Sequence, residues 1–363
     1  MRIAQVAPLY ESCPPRLYGG SERVVSYLTE ELVRLGHEVT LFASGDSCTA
    51  ATLEAGCEVA LWRDDRVKDP LVYHLMMLDR VRRRAADFDI IHCHTDYLHL
   101  PFMAECADKT LTTVHGRLDL PDLHAIVRAF PMLPLVSISD AQREPMPWAN
   151  WRATVYHGLP RSLHRPGDGR GGYLAFLGRI AREKRPDRAI EIARRAGMPL
   201  QIAAKVDPTD RRYFEREILP LLQDPLIEFV GEIGEADKGA FLGDAAALLF
   251  PIDWPEPFGL VQVEAMAAGT PVIAFRGGSV PEIIEDGVTG FIVDDIEAAV
   301  AAIPRAKELD RRVIRQEFER RFTDERMARD YLAIYGALLQ RGSGAIELGT
   351  AAAPAPGLAQ AAD

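Results

Sequence analysis

Residues 255–272 read PEPFGLVQVEAMAAGTPV, with Glu256 just before Pro257-Phe258-Gly259 and Glu264 a short way after. The apolar run ALLFPI precedes this stretch and PVIAF ends it. A short apolar run, a proline-rich turn, an apolar helical segment from about Phe258 and a second short run spell strand, helix, strand. That is the repeating unit of a parallel sheet. The alternation extends both ways. On the C-terminal half, YLAFLG, LQIAA and IEFVG read as further strands, with helical patterns at 184–196, 209–222 and 235–243. On the N-terminal half, RIAQVA, HEVTLFAS, DIIHCH, KTLTTVH, LPLVSIS and ATVYH read as strands. SERVVSYLTEELVRLG places Val24, Val25, Leu28, Leu32 and Leu35 at helical spacing before Gly36.

Between the two series lies GLPRSLHRPGDGRGG, residues 158–172, rich in Gly, Pro and Arg. The expected architecture is therefore α/β: two Rossmann-like, doubly wound parallel-sheet domains facing a central cleft, residues 1–163 and 164–322. At 363 residues the chain is long enough for two cores. The helical pattern at 324–340 follows the second domain's last strand. The Ala/Pro-rich end of the chain, AAAPAPGLAQAAD, gives an expected disordered tail over 342–363.

Composition narrows the function. The net charge of −11 argues against bulk attraction to nucleic acid or anionic lipid. Arg80, Arg83 and Arg84 share one helix face, read as a solvated face with membrane-surface docking as the alternative. Five cysteines at irregular spacing, with no CxxC, fit reduced thiols better than a disulfide framework or a zinc site. MRIAQVAPLY lacks the long apolar core of a signal peptide, and cytoplasmic residence is the expected default.

The opening stretch also carries chemistry. A helix tip leaves backbone N–H groups unpaired, here those of Phe258, Gly259 and Leu260, and they make a cradle for a phosphate. Glu256, just outside, suits sugar hydroxyls, and Glu264, along the helix, suits the hydroxyl pair of a ribose. Sugar, diphosphate and ribose in a row is the layout of a nucleotide-sugar; two solvated glutamates is the competing reading. In LAFLGRIAREK, Arg179 and Lys184 stand at a strand end, suited to a diphosphate or merely a basic turn. Gly19-Gly20 precede a helix, again suiting phosphate or forming a plain turn. His92, His94 and His99 cluster in IHCHTDYLHL, but nothing completes a metal set around them. His115, in TTVHG, follows another strand and is expected in the same cleft, as a sugar contact or a structural histidine.

Taken together these motifs resemble the retaining glycosyltransferases of family 4, which have the GT-B architecture. The resemblance spans roughly residues 1–340. It rests most on Glu256-Pro-Phe-Gly to Glu264 and the following AMAAGTPVIAFRGGSVPEIIEDGVTGFIV, with GGSERVV, TVHG, VSISDAQR, VYHGL and FLGRIAREK in the expected order. It implies transfer of a hexose from a nucleotide-sugar, UDP-glucose by family frequency, to a small-molecule or sugar acceptor, without metal or other cofactor, leaving UDP. It implies catalytic roles for Glu256, His115, Arg179 and Lys184. Donor contacts would come from Gly19, Gly20, Ile233, Phe258, Gly259, Leu260 and Glu264, with Gly277 and Gly278 shaping the cleft wall. It also implies that helix 324–340 crosses back onto the first domain. Arg185 stands where the family commonly has glycine. A nucleotide-sugar epimerase of the same architecture and a non-catalytic nucleotide-sugar binder are the rival readings.

Overall fold

The computed structural model describes residues 1–346, with side chains through Gln340. Among the described residues, two parallel sheets form. The first contains β1 (Arg2–Val6), β2 (Glu38–Ser44), β3 (Thr52–Cys57), β4 (Ile90–Cys93), β5 (Thr110–Thr113), β6 (Leu135–Ser137) and β7 (Trp151–Thr154), in the order β3-β2-β1-β4-β5-β6-β7. The second contains β8 (Leu174–Arg179), β9 (Leu200–Lys205), β10 (Ile227–Gly231), β11 (Ala247–Phe250), β12 (Val272–Phe275) and β13 (Gly290–Val293), in the order β10-β9-β8-β11-β12-β13. The helices are α1 (Gly20–Arg34), α2 (Pro70–Arg83), α3 (Leu100–Met103), α4 (Pro121–Ala129), α5 (Pro186–Ala196) and α6 (Arg211–Tyr213). They continue with α7 (Glu235–Asp244), α8 (Leu260–Ala267), α9 (Val280–Ile283), α10 (Ile296–Glu308), α11 (Arg311–Arg321) and α12 (Asp324–Ile346).

Both sheets reverse their winding at one place, between β1 and β4 in the first and between β8 and β11 in the second. Loops leaving such strands part to opposite faces and open a crevice at their carboxyl ends. The two switch points therefore position the cleft.

Strand identity follows from burial. β4, β5, β11 and β12 are buried along their whole length: β11 and β12 are unbroken apolar runs, β5 is threonine-rich, and β4 carries His92 with both ring nitrogens hydrogen-bonded. Edge strands β3 and β13 escape the sequence reading. β3 is mostly half-exposed, and both strands carry a glycine, Gly56 in β3 and Gly290 at the start of β13. The pattern expected at 209–222 is not one helix but a succession of short 3-10, α and π turns.

The core is continuous between domains. One cluster runs from Ile3 and Leu28 through Leu159 to Phe258, Phe318 and Tyr335. Chain crossings lie side by side at Leu159, whose N–H donates to Phe322 O while its carbonyl accepts from Asp324 N. Gly158 is required there: a β-carbon would sit 2.2 Å from the Thr323 carbonyl oxygen. α12 then packs on α1, burying Tyr331 and Tyr335. The Tyr335 hydroxyl lies 2.7 Å from His92 Nδ1, and the Tyr331 hydroxyl 2.8 Å from Thr113 Oγ1. α12 continues six residues past the expected stop at 340, to Ile346; the rest of the expected disordered tail lies outside the described residues.

The arginine cluster on α2 is not a free basic face. Arg83 pairs with Asp79, Arg84 with Glu54 and Asp87, and Arg80 donates to Ala55 O. No described helix is long and apolar enough to cross a membrane.

Candidate active site

The cleft between the switch points has a volume of about 770 Å³. Every candidate site residue named from the sequence lines it: Gly19, Gly20, His115, Arg179, Lys184, Ile233, Glu256, Phe258, Gly259, Leu260 and Glu264. Segments as far apart in sequence as Gly19 and Glu264 meet here because each follows the carboxyl end of a parallel strand.

At its centre is the loop after β11. α8 begins at Leu260, two residues later than the sequence suggests, because Gly259 takes a left-handed conformation, φ 77°, that stops the helix from extending back. The amides of Phe258, Gly259 and Leu260 have no protein acceptor among the described residues, so they are open donors at a positively polarised tip. α1 presents its own N-terminus opposite. A β-carbon on Gly20 would lie 3.6 Å from Leu260 Cδ1, so two helix tips converge on one space. Gly19 is forced by packing, since its β-carbon would meet Pro15 at 2.7 Å. Phe258 supplies more than an amide: its ring is buried and meets the His157 ring edge-on at 4.8 Å.

Glu256 is only 7% exposed. Its Oε2 accepts from the Lys184 ammonium and, at 2.9 Å, from Trp254 Nε1. The ammonium also lies 4.9 Å from the centre of the Trp254 ring. A buried carboxylate needs such partners, and here they come from the loops after β8 and β11. Gly277 and Gly278 do not form the cleft wall. They support this loop from behind: a β-carbon on Gly278, φ 50°, would collide with Glu256 O at 2.2 Å, and Ser279 N donates to the same oxygen at 2.9 Å.

Arg179 is held by three acids: Glu183 at 2.6 Å, Asp207 at 3.5 Å and Asp210 at 3.8 Å. Arg185 adopts a left-handed backbone, φ 53° and ψ 53°, a conformation that glycine takes without strain. Its side chain forks to Asp187 and Asp253.

Glu264 is 4% exposed and takes a 2.8 Å ion pair from Lys238. Burial alone would raise its carboxyl; the Lys238 charge and hydrogen bond outweigh that and hold it below the ordinary carboxylate range. Lys238 also reaches Glu235 at 3.3 Å, and Glu235 pairs with Arg23 of α1, joining the two domains. His164, Glu235 and Glu264 are the one described group close enough to share a metal ion, but the Lys238 ammonium already serves its carboxylates. Sequence reading missed Lys238, Glu235, Arg23 and His164, since no local pattern ties a helix 7 acid to a helix 1 arginine.

His115 lies beside His94, with His115 Nε2 and His94 Nδ1 2.9 Å apart, and stacks on His157 at 5.2 Å. Burial lowers it to about 4, so the ring is neutral at pH 7. The cluster His92, His94, His99 holds no ligand set: every ring nitrogen has a hydrogen-bond partner, from Tyr335 and Thr113, from His115 and Gln5, and from Thr95 and Thr112.

Comparison with known proteins agrees with this geometry. Residues 18–182 match the family model described as Glycosyltransferase Family 4, and residues 167–323 that described as Glycosyl transferases group 1. The chain is 25% identical over 341 residues to the uncharacterized glycosyltransferase MJ1607 of Methanocaldococcus jannaschii, covering 81% of this chain and 85% of that one. It is 32% identical over 162 residues to the D-inositol 3-phosphate glycosyltransferase of Mycobacterium leprae, covering 38% of this chain and only 36% of that protein. Anabaena HepE, solved in complex with UDP-glucose, superposes with a TM-score of 0.70 at 17% identity, over 93% of this chain and all of that one, a likeness of fold. With both halves matched in sequence and two parallel-sheet domains facing one cleft, the chain belongs to glycosyltransferase family 4 and has its GT-B architecture.

Proposed function

We propose that the protein transfers a hexose from a UDP-sugar, with UDP-glucose as the first donor to test, to a hydroxyl acceptor with retention of configuration and without a metal. The observation that carries this is the pairing of a buried, lysine-compensated Glu256 with the open amides of Phe258, Gly259 and Leu260 at one helix tip. The amides and the tip's partial charge receive the diphosphate. Arg179 and Lys184 stand beside it. Glu264 takes the ribose hydroxyls and the backbone near Ile233 faces the base. The hexose then lies against Glu256 and His115.

In the reaction the bond between C1 of the hexose and the diphosphate oxygen breaks, and a bond between C1 and the acceptor oxygen forms on the same face. The acceptor's proton goes to the departing phosphate, so no protein base is needed. Hexose hydroxyls compete with Lys184 for Glu256, and the released ammonium turns to the growing negative charge of the leaving group. A cation placed where charge develops lowers the barrier more than one bound equally throughout. His115, neutral at pH 7, donates or accepts one hydrogen bond without adding charge. The HepE complex is a reason to begin with UDP.

The test is a thermal-shift panel of UDP-, GDP- and ADP-glucose with the free nucleotides. A ligand at about 100 times its Kd stabilises by ~2.7 kcal/mol. Stabilisation by UDP and UDP-glucose, followed by release of UDP only when an acceptor is present, is expected. Turnover of UDP-glucose without acceptor would favour the epimerase reading, and no shift with any nucleotide would overturn donor binding here.

A further inference from the structure

In the proposed reaction Lys184 leaves Glu256 for the departing diphosphate. Glu256 is then a buried carboxylate without its cation, which is costly unless another donor holds it. The fold supplies one. Trp254 Nε1 donates to Glu256 Oε2 at 2.9 Å. The Lys184 ammonium bonds the same oxygen, so among the described residues no side chain bonds Oε1, and that oxygen is left for the hexose. An indole N–H is a donor only, and it has no rotor of its own; it points where the ring points.

The ring is held from both domains. It is half-buried and lines the cleft. The Lys184 ammonium lies 4.9 Å from its centre and the Arg117 guanidinium 5.8 Å, both within the range at which an aromatic face attracts a cation. Arg117 belongs to the first domain, in the loop after β5 just past His115, and a two-pronged pair with Asp119 at 2.6 Å aligns its guanidinium. The same loop is fixed by Asp96, whose left-handed backbone, φ 49°, seats its carboxylate against the amides of His115 and Gly116. On the second domain, Asp253 N donates to Glu183 O at 2.8 Å, tying the turn before Trp254 to the segment that carries Lys184.

We propose that Trp254 is a positioning residue for Glu256: its indole N–H keeps Oε2 in place while Lys184 moves to the diphosphate, so that Oε1 meets the hexose in one orientation throughout transfer. The proposal rests on the hexosyltransferase reading of the same cleft. If Trp254 were only a platform for the Lys184 ammonium, any aromatic ring would serve, so the N–H and the ring are separable.

Two variants separate them. Trp254→Phe keeps an aromatic face and removes the N–H. Trp254→His gives up part of the ring and keeps an N–H at the same number of bonds from the β-carbon. Both are compared with the parent at pH 8, where an ordinary imidazole is neutral, for hexose transfer from UDP-glucose and for UDP affinity, with thermal melts to check folding. In Trp254→Phe, kcat should fall by about tenfold or more, while KM for UDP-glucose and UDP affinity hold within about threefold. Trp254→His should be at least about threefold faster than Trp254→Phe. Full kcat in Trp254→Phe, or Trp254→His no faster than Trp254→Phe, would overturn the proposal. NMR of the full chain gives a second reading that does not depend on either variant folding. Of the indole N–H resonances of the four tryptophans, one should shift clearly in Glu256→Gln without ligand, and in the parent that proton should stay protected from solvent exchange when UDP-glucose binds. No shifted resonance, or exchange at least about tenfold faster in the complex, would also overturn it. Failure of the parent to bind UDP would instead count against the donor reading, and the resonance in the free protein still decides whether Trp254 holds Glu256.

Discussion

The ammonium of Lys184 and the carboxylate of Glu256 are paired beneath the Trp254 indole, joining the loop after β8 to the loop after β11. In the proposed mechanism each partner has a different target on the donor. Lys184→Ala should therefore leave Glu256 without its cation and remove a charge from the diphosphate. We expect kcat to fall by about 100-fold or more, the effect of one strong charge stabiliser, with a smaller loss in UDP affinity. Steady-state kinetics beside UDP titration checks this; unchanged kcat would place Lys184 outside the reaction.

Glu264 and Lys238 form the second such pair. If Glu264 holds the ribose, Glu264→Gln should weaken UDP more than 2′-deoxy-UDP, by about tenfold against little, since a lost charged hydrogen bond is worth roughly 1.5–3 kcal/mol. Calorimetric titration of both nucleotides reads the difference. Equal losses would mean that Glu264 acts only as a partner for Lys238.

Gly278 is a structural requirement of the loop that carries Glu256. Gly278→Ala places a β-carbon 2.2 Å from Glu256 O on a left-handed backbone. A loss of at least about 2 kcal/mol is expected, or displacement of Glu256 with loss of turnover. Gly287, with φ 76° but open space around it, is the control. Gly287→Ala should cost only about 1 kcal/mol for backbone strain and spare turnover. Denaturant melts of both variants with a turnover assay separate the two.

Much of this was legible beforehand, and the reasons are physical. The alternation of short apolar runs with amphipathic helices marks two parallel-sheet domains, because fully buried strands such as β11 and β12 tolerate few polar residues. That Glu256, Lys184, Gly19 and His115 share one cleft was readable because helix tips and strand ends gather at the carboxyl edges of the sheets. What escaped is tertiary. The assignment of Gly277 and Gly278 to the cleft wall fails because their spacing from Glu256 in sequence says nothing of which side of the loop they support. The Arg23–Glu235 bridge, the Asp96 backbone and the Glu282 carboxylate, which accepts from the Asp140 and Ala141 amides at 2.7 and 2.8 Å, join segments that only the completed fold brings together.

Acid should destabilise the protein through its buried histidines. His115 is lowered to about 4 and His99 to about 3, both by burial, against about 6.5 in the unfolded chain. A base with a lowered folded value binds its proton in the unfolded state first. Its stabilisation is therefore complete above about pH 6.5 and is lost as pH falls from there toward 4. Glu22, raised by burial to about 7, acts in the opposite sense over the same interval. The clean measurement is a difference: the slope of stability against pH between 6.5 and 4 should be shallower in His115→Asn than in the parent. An unchanged slope would mean that His115 is not buried as a neutral ring.

The most direct test of the account compares Glu256→Gln with the parent, measuring hexose transfer from UDP-glucose and UDP affinity on the same preparations. Turnover should fall by about 100-fold or more while UDP affinity holds within about threefold, because in the proposed binding mode Glu256 meets the hexose and not the nucleotide. Equal turnover in the two proteins would contradict the placement of the hexose at Glu256.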